Sequence, residues 1–213
     1  MKAVIFDLDG VIVSTDLYHF EAWKEICDQE EIPFNKEINK RLRGVSRLAC
    51  VDILLENASR NYTQGEKEQL AARKNKRYVS NIEKLTALDI LPGVNDLLKD
   101  FKNSGMKLAI GSSSKNTALI LEKLGLTSHF DAVVSGHDIK KSKPDPEVFL
   151  LAAERLKEEP QQCIVIEDAS AGVEAAVTAG MKVVGVGDNI GNTLATLKVA
   201  SLTDMTAEKI KKL

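Results

Sequence analysis

Cysteine is scarce in this 213-residue chain. Cys27, Cys50 and Cys163 are odd in number and far apart, and they form neither a CxxC pair nor a zinc-type spacing. That excludes a disulfide framework and predicts free thiols in a reducing cytoplasm. Aromatic residues make up only 5%, too few for a surface that stacks bases. Neither sign of charge dominates: 29 basic against 31 acidic residues leave a net charge of -2, with no footprint for nucleic acid or for an anionic membrane. No apolar run approaches the roughly 18 residues of a membrane span. After Lys2 the apolar stretch Ala3–Phe6 stops at Asp7, too short for a signal peptide. Repeats, low-complexity tracts and a P-loop are all missing, and Gly185-Val186-Gly187-Asp188 is not a GxGxxG turn. The expectation is a soluble cytoplasmic monomer that binds neither nucleic acid nor membrane.

What is present is ordinary globular composition, 44% apolar and 28% charged. A chain of this length buries roughly 70% of its unfolded surface and needs no covalent staple. Ala3-Val4-Ile5-Phe6, apolar on both faces, predicts a central buried strand. From about Thr15 to residue 90 only helical periods appear. Leu17, Phe20, Trp23 and Ile26 recur at steps of three; further helices are predicted over 36–43, about 46–57 with Ser46 as N-cap, and about 65–84. The basic run Arg73-Lys74-Asn75-Lys76-Arg77 in the last of these reads as a solvated helix surface. After Pro92-Gly93 helices (94–103, 116–124, 147–156, 172–179) alternate with strands (108–110, 132–134, 164–166, 183–186). That rhythm predicts an α/β fold, a parallel sheet with helices on both faces, into which the helical block of about 15–90 is inserted.

Ligands of open parallel sheets bind beyond the carboxyl ends of the strands. Four predicted strands lead there into polar residues: Asp7-Leu8-Asp9-Gly10, Gly111-Ser112-Ser113-Ser114-Lys115-Asn116, Lys143-Pro144-Asp145 and Glu167-Asp168. Each piece alone is common; the ordered set is not. Four carboxylates on one rim cannot all ionise unless a cation sits among them, and a hard, oxygen-liganded ion such as Mg²⁺ suits them best. Such an ion invites a phosphoryl group. Ser112, read as lying at a helix N-terminus, would bind its oxygens, and Lys143 would neutralise its charge. One carboxylate could then attack phosphorus while another moves protons. Thr15, His19 and Trp23, four apart, share one helix face with the polar and aromatic mixture of a sugar-contacting surface.

The set Asp7-Leu8-Asp9-Gly10-Val11, Ser112, Lys143-Pro144 and Glu167-Asp168 resembles the haloacid dehalogenase-like hydrolase superfamily in order and spacing across the whole chain. Thr15, Tyr18-His19-Phe20, Ala22-Trp23-Lys24, Leu42-Arg43-Gly44-Val45-Ser46-Arg47 and Ser114-Lys115-Asn116 resemble its sugar-phosphate mutases. The resemblance implies a Rossmann-like parallel sheet core (1–14 and 88–213) with a small α-helical cap domain (15–87) inserted after the first strand. It implies Asp7 as nucleophile and Asp9 as general acid and base. One Mg²⁺ per site would be held by Asp7, Asp9, Asp168 and Glu167, the last as ligand or support. Ser112 and Lys143 would hold the transferring phosphoryl group, with Ser113 among the substrate-binding residues. Arg47, Ser114, Lys115 and Asn116 would take the second phosphate, while Thr15, His19, Trp23, Arg43, Gly44, Val45 and Ser46 complete the sugar site. Arg43 stands where relatives commonly have Lys, and the resemblance leaves the isomer of the Lys143-Pro144 peptide open, with a cis form aiming the lysine side chain. The implied reaction interconverts β-D-glucose 1-phosphate and D-glucose 6-phosphate through an aspartyl phosphate, with β-glucose 1,6-bisphosphate as intermediate and activator. The alternative is a Mg²⁺-dependent sugar or polyol phosphate phosphatase.

Overall fold

The computed structural model describes residues 1–42, 45–187 and 194–213. Six parallel strands form one sheet in the order β3-β2-β1-β4-β5-β6. These are β1 (Ala3–Phe6), β2 (Lys107–Gly111), β3 (Ala132–Val134), β4 (Cys163–Glu167), β5 (Lys182–Val186) and β6 (Leu197–Val199). Chain direction across the sheet reverses at β1, between β2 and β4, so a crevice opens beyond the carboxyl end of β1. All four residues of β1 are fully buried, as a strand apolar on both faces must be. Val4 and Phe6 point to one face with Phe101, Leu98 and Ile120; Ala3 and Ile5 point to the other with Phe149, Val173 and Ala176.

Helices α5 (Val94–Asn103) and α6 (Thr117–Lys123) cover the first face. Helices α7 (Glu147–Leu156) and α8 (Ser170–Thr178) cover the second. Between β1 and α5 the chain is helical: α1 (Asp16–Gln29), α2 (Lys36–Lys40), α3 (Arg47–Leu55) and α4 (Gln64–Ile82). This insert has its own apolar cluster, built on Trp23, Ile26, Cys27, Val51, Leu54 and Leu70. Tyr78 and Ile82, near the end of α4, join the sheet's cluster instead. Among the described residues no helix is long and apolar enough to cross a membrane.

Several expectations need correction. Leu17 is 63% exposed. Steps of three fall behind the helical turn, so the stripe from Leu17 to Ile26 drifts off the buried face, and only Trp23 and Ile26 are buried. Helix α2 ends at Lys40 in a turn at Arg41 and Leu42; residue 43, the expected last residue, lies outside the described ones. Strand β6 and the short α9 (Ala207–Lys211) were not expected. The edge strand β6 mixes half-buried Leu197 and Val199 with exposed Lys198, too short a pattern to read as a strand.

Candidate active site

The chemistry gathers at the crevice beyond β1. The Asp7 amide donates to the Ile166 carbonyl at 2.9 Å, continuing the β1–β4 pairing one residue past the strand and placing the Asp7 carboxylate beside Glu167 and Asp168. Lys143, 4% exposed, donates to Asp7 Oδ1 at 2.5 Å and to Glu167 Oε2 at 2.7 Å. Burial alone would lower its pKa, but Asp7 and Glu167 outweigh it and hold the ammonium well above the usual lysine range. The Lys143-Pro144 peptide, whose isomer the sequence left open, is cis.

Oxygens of Asp7, Glu167 and Asp168 lie within 4.8 Å of one another. Burial, with the Asp7 charge beside it, pushes Glu167 up to about 7. Burial and the charges of Glu167, Asp7 and Asp9 push Asp168 up to about 9. Three crowded oxygen donors, two of them pushed toward their protonated forms, fit a hard divalent cation. Glu167 commits Oε2 to Lys143 and accepts the Asp168 and Ala169 amides at Oε1, which suits bracing better than direct ligation. Gly10, at φ +85°, makes the turn after β1, and a Cβ there would overlap the Asp168 carboxylate.

Asp9 faces the insert. The Thr15 amide donates to its Oδ1 at 2.6 Å and the Thr15 hydroxyl to its Oδ2 at 2.6 Å. With its proton so used, Thr15 Oγ1 accepts the Tyr78 O–H at 2.8 Å. About a third of the Asp9 side chain, 32%, is open to the cavity it lines. Burial raises its pKa to about 6 against the two Thr15 bonds, which favour the anion. His19 Nε2 lies 3.5 Å from Asp9 Oδ2 and its Nδ1 lies 2.6 Å from Lys74 Nζ. Burial, and then the charges of Lys74 and Arg47, keep His19 well below the usual histidine range. A neutral ring that accepts from Lys74 at Nδ1 presents its Nε2–H to Asp9. Burial brings Lys74 down to about 7; its ammonium sits 4.4 Å above the Tyr78 ring and 5.2 Å from that of Trp23.

A 550 Å³ cavity between sheet and insert is lined by Asp7, Asp9, Ser112, Lys143, Glu167 and Asp168, and also by His19, Trp23, Val45, Ser46, Arg47, Ser113, Ser114, Lys115 and Asn116. Nearly all the expected site residues thus meet in one space. Arg43 and Gly44 lie outside the described residues. Thr15 is fully buried under Asp9 rather than exposed to the cavity. Ser46 N-caps α3, accepting the Ala49 amide at 3.3 Å, as its position before that helix suggested. Trp23 belongs to both readings, being 2% exposed in the insert's apolar cluster and lining the cavity. Ser112 is not at a helix N-terminus: α6 begins five residues later, at Thr117. The Ser112 hydroxyl instead accepts the Ser114 amide at 3.1 Å, so the loop closes on itself. Gly136 supports this loop, its amide donating to the Ser114 carbonyl at 3.0 Å.

Sequence reasoning missed Lys74 and Tyr78. The basic run is exposed at Arg73, Lys76 and Arg77, but Asn75 is half-buried and Lys74 is 2% exposed. The signal was available: Leu70, Ala71, Lys74, Tyr78 and Asn81, at steps of three and four, are the buried stripe of α4, and a lysine within such a stripe needs a partner.

Residues 4–186 match the haloacid dehalogenase-like hydrolase family, and the chain belongs to it. Within that family it is 46% identical over 210 residues to a β-phosphoglucomutase of Bacillus subtilis (strain 168), covering 98% of this chain and 93% of that protein. It is 32% identical over 213 residues to a phosphorylated carbohydrates phosphatase of Thermotoga maritima, covering 99% and 96%. The crystal structure of a β-phosphoglucomutase from Clostridium difficile superposes with a TM-score of 0.94 at 40% identity, covering all of this chain and 96% of that one.

Proposed function

We propose that the chain is a β-phosphoglucomutase, an isomerase that interconverts β-D-glucose 1-phosphate and D-glucose 6-phosphate. The observation that carries this reading is the single cavity that joins the Asp7–Lys143 pair to Arg47, Ser114, Lys115 and Asn116, a second set of groups suited to an anion. Its support from relatives is the 46% identity to a mutase against 32% to a phosphatase. The same proposal divides the chain into a core of 1–14 and 88–213 and a cap of 15–87.

Asp7 is the nucleophile: its carboxylate oxygen attacks the phosphorus of a sugar phosphate, the bond from phosphorus to the sugar oxygen breaks, and an aspartyl phosphate forms. Lys143, already on Asp7, neutralises charge on the moving group, and Ser112 hydrogen-bonds its oxygens. When the phosphoryl group passes from Asp7 to the sugar 6-hydroxyl, the O–P bond to Asp7 breaks and Asp9 takes the hydroxyl proton. The bisphosphate formed turns over, Asp7 attacks its other phosphorus, and Asp9 returns the proton to the departing sugar oxygen. A carboxyl raised to about 6 is poised to do both near neutrality. Thr15 fixes the Asp9 carboxylate, and neutral His19, held by Lys74, faces it from the cap. Asp7 and Asp168, braced by Glu167 and joined by the Asp9 backbone carbonyl, would hold Mg²⁺, which when bound supplies positive charge to the phosphoryl oxygens. Closure of the cap over the cavity that Asp7 lines would keep water from the phosphorylated aspartate.

The test supplies β-glucose 1-phosphate, Mg²⁺ and trace glucose 1,6-bisphosphate, and measures glucose 6-phosphate and free phosphate in the same tube. Isomerisation without phosphate release is the expected result. Release without isomerisation would replace the mutase with a phosphatase.

A further inference from the structure

Helices α1 and α4 are tied side by side along the cap. Arg73 Nη1 meets Glu30 Oε1 at 2.6 Å, Arg77 Nε meets Glu25 Oε2 at 2.9 Å, and Asn81 Nδ2 donates to Glu21 Oε2 at 3.3 Å. The two helices therefore move as a unit, carrying His19 and Lys74 together. Two adjacent residues of α4 leave that unit for different parts of the core. Lys74 reaches Asp9 through His19. Asn75, about 100° further round the helix, accepts at its Oδ1 the Asn116 Nδ2–H at 3.1 Å. Asn116 is the N-cap residue of α6 and lines the cavity. The bond spans 41 residues of sequence and joins cap to core.

We propose that Asn75 is a positioning residue: it orients the Asn116 carboxamide and ties cap closure to occupancy of the distal phosphate site. The proposal rests on the role given to Asn116 above. The terminal torsion of an asparagine is broad, so an untethered carboxamide samples many directions. A tether on one N–H leaves the second N–H and Oδ1 for a ligand and limits where they point. Because α1 and α4 are joined, opening the cap parts Asn75 from Asn116 and moves His19 with it. A ligand that holds Asn116 in place thereby favours the arrangement in which His19 faces Asp9. One hydrogen bond between neutral amides is weak enough for the cap to reopen and let the bisphosphate turn.

The experiment compares wild type, Asn75→Ala, Asn116→Ala and the double variant, each loaded with Mg²⁺, in the two-product assay above. Alanine is the best helix former and Asn75 is half-buried on α4, so the fold is not at risk; thermal melts check this. For Asn75→Ala we expect a roughly three- to tenfold rise in KM for β-glucose 1-phosphate, the worth of one hydrogen bond. Phosphate released per isomer formed should also rise, since a cap less firmly shut admits water. The double variant should be no worse than Asn116→Ala alone. Losses that multiply, or an Asn75→Ala enzyme with wild-type KM and product ratio, would overturn the proposal. Should wild type release phosphate and form no glucose 6-phosphate, the mutase reading alone fails. The same four proteins then decide the Asn75 question through KM for phosphate release.

Discussion

Asp9 takes both of its short hydrogen bonds from one residue, Thr15, and each favours its anion. Removing the hydroxyl with Thr15→Ala leaves the amide bond, deletes one stabilising contact and so raises Asp9 above about 6. In the proposed mechanism Asp9 must be ionised to take the sugar proton. The acidic limb of the pH–rate profile should therefore move to higher pH in Thr15→Ala, with a lower plateau, because the Tyr78 hydroxyl also loses its partner. A limb that stays in place would remove Thr15 from the tuning of Asp9. Lys74 makes the opposite kind of case. Its folded pKa is about 7 against an ordinary 10.5, so the penalty for burying its charge is fully present below about pH 7 and is relieved as pH rises toward 10.5. Lys74→Met should stabilise the protein at about pH 6 by ~1–4 kcal/mol, as apolar replacements of buried ions often do, and by less at about pH 10. Denaturant midpoints at the two pH values check this, and mutase activity should fall because His19 loses the donor at Nδ1.

The elements that could be read from the sequence were those whose pattern is set locally. β1 is four apolar residues closed by an acid, and α5 and α7 are bounded by turn residues at Gly93 and Pro146. Helix α4 carries a full capping box: Thr63 Oγ1 accepts the Glu66 amide and Glu66 Oε2 accepts the Thr63 amide. Thr63→Ala should cost about 1 kcal/mol, read as a lower melting temperature with near-normal turnover. A fall in turnover as large as that of Lys74→Met would mean that the start of α4 also sets the site. Less was legible where tertiary contacts decide. β6 depends on pairing with β5, and three residues carry no periodicity. The carboxylates, Ser112 and Lys143 were legible because they terminate strands, and a parallel sheet must bring strand ends to one edge. The burial of Lys74 could be read from the stripe of α4, but its partner and that of Asn75 could not, because only the docking of α4 on α1 and on the loop before α6 supplies them.

At the scale of the whole molecule, the acid cluster makes stability depend on the ion it would hold. Glu167 and Asp168, ordinarily at 4.5 and 3.8, stand at about 7 and about 9 in the fold. Across that window the folded chain binds more protons than the unfolded one, so without a divalent cation stability is lost as pH rises. Lys143 offsets part of this repulsion through Asp7 and Glu167, yet it makes no bond to Asp168 among its contacts at the cluster. A cation would replace the retained protons, so its binding should release protons and strengthen with pH. Melting temperatures taken from about pH 5 to about pH 9, with EDTA or with excess Mg²⁺, should therefore diverge. The EDTA curve should fall and the Mg²⁺ curve hold, the gap being widest at high pH. In Asp168→Asn the EDTA curve should flatten, because the most strongly raised carboxyl is gone, and the gap should shrink at every pH. A gap independent of pH in the wild type would mean that these acids are not where the ion binds.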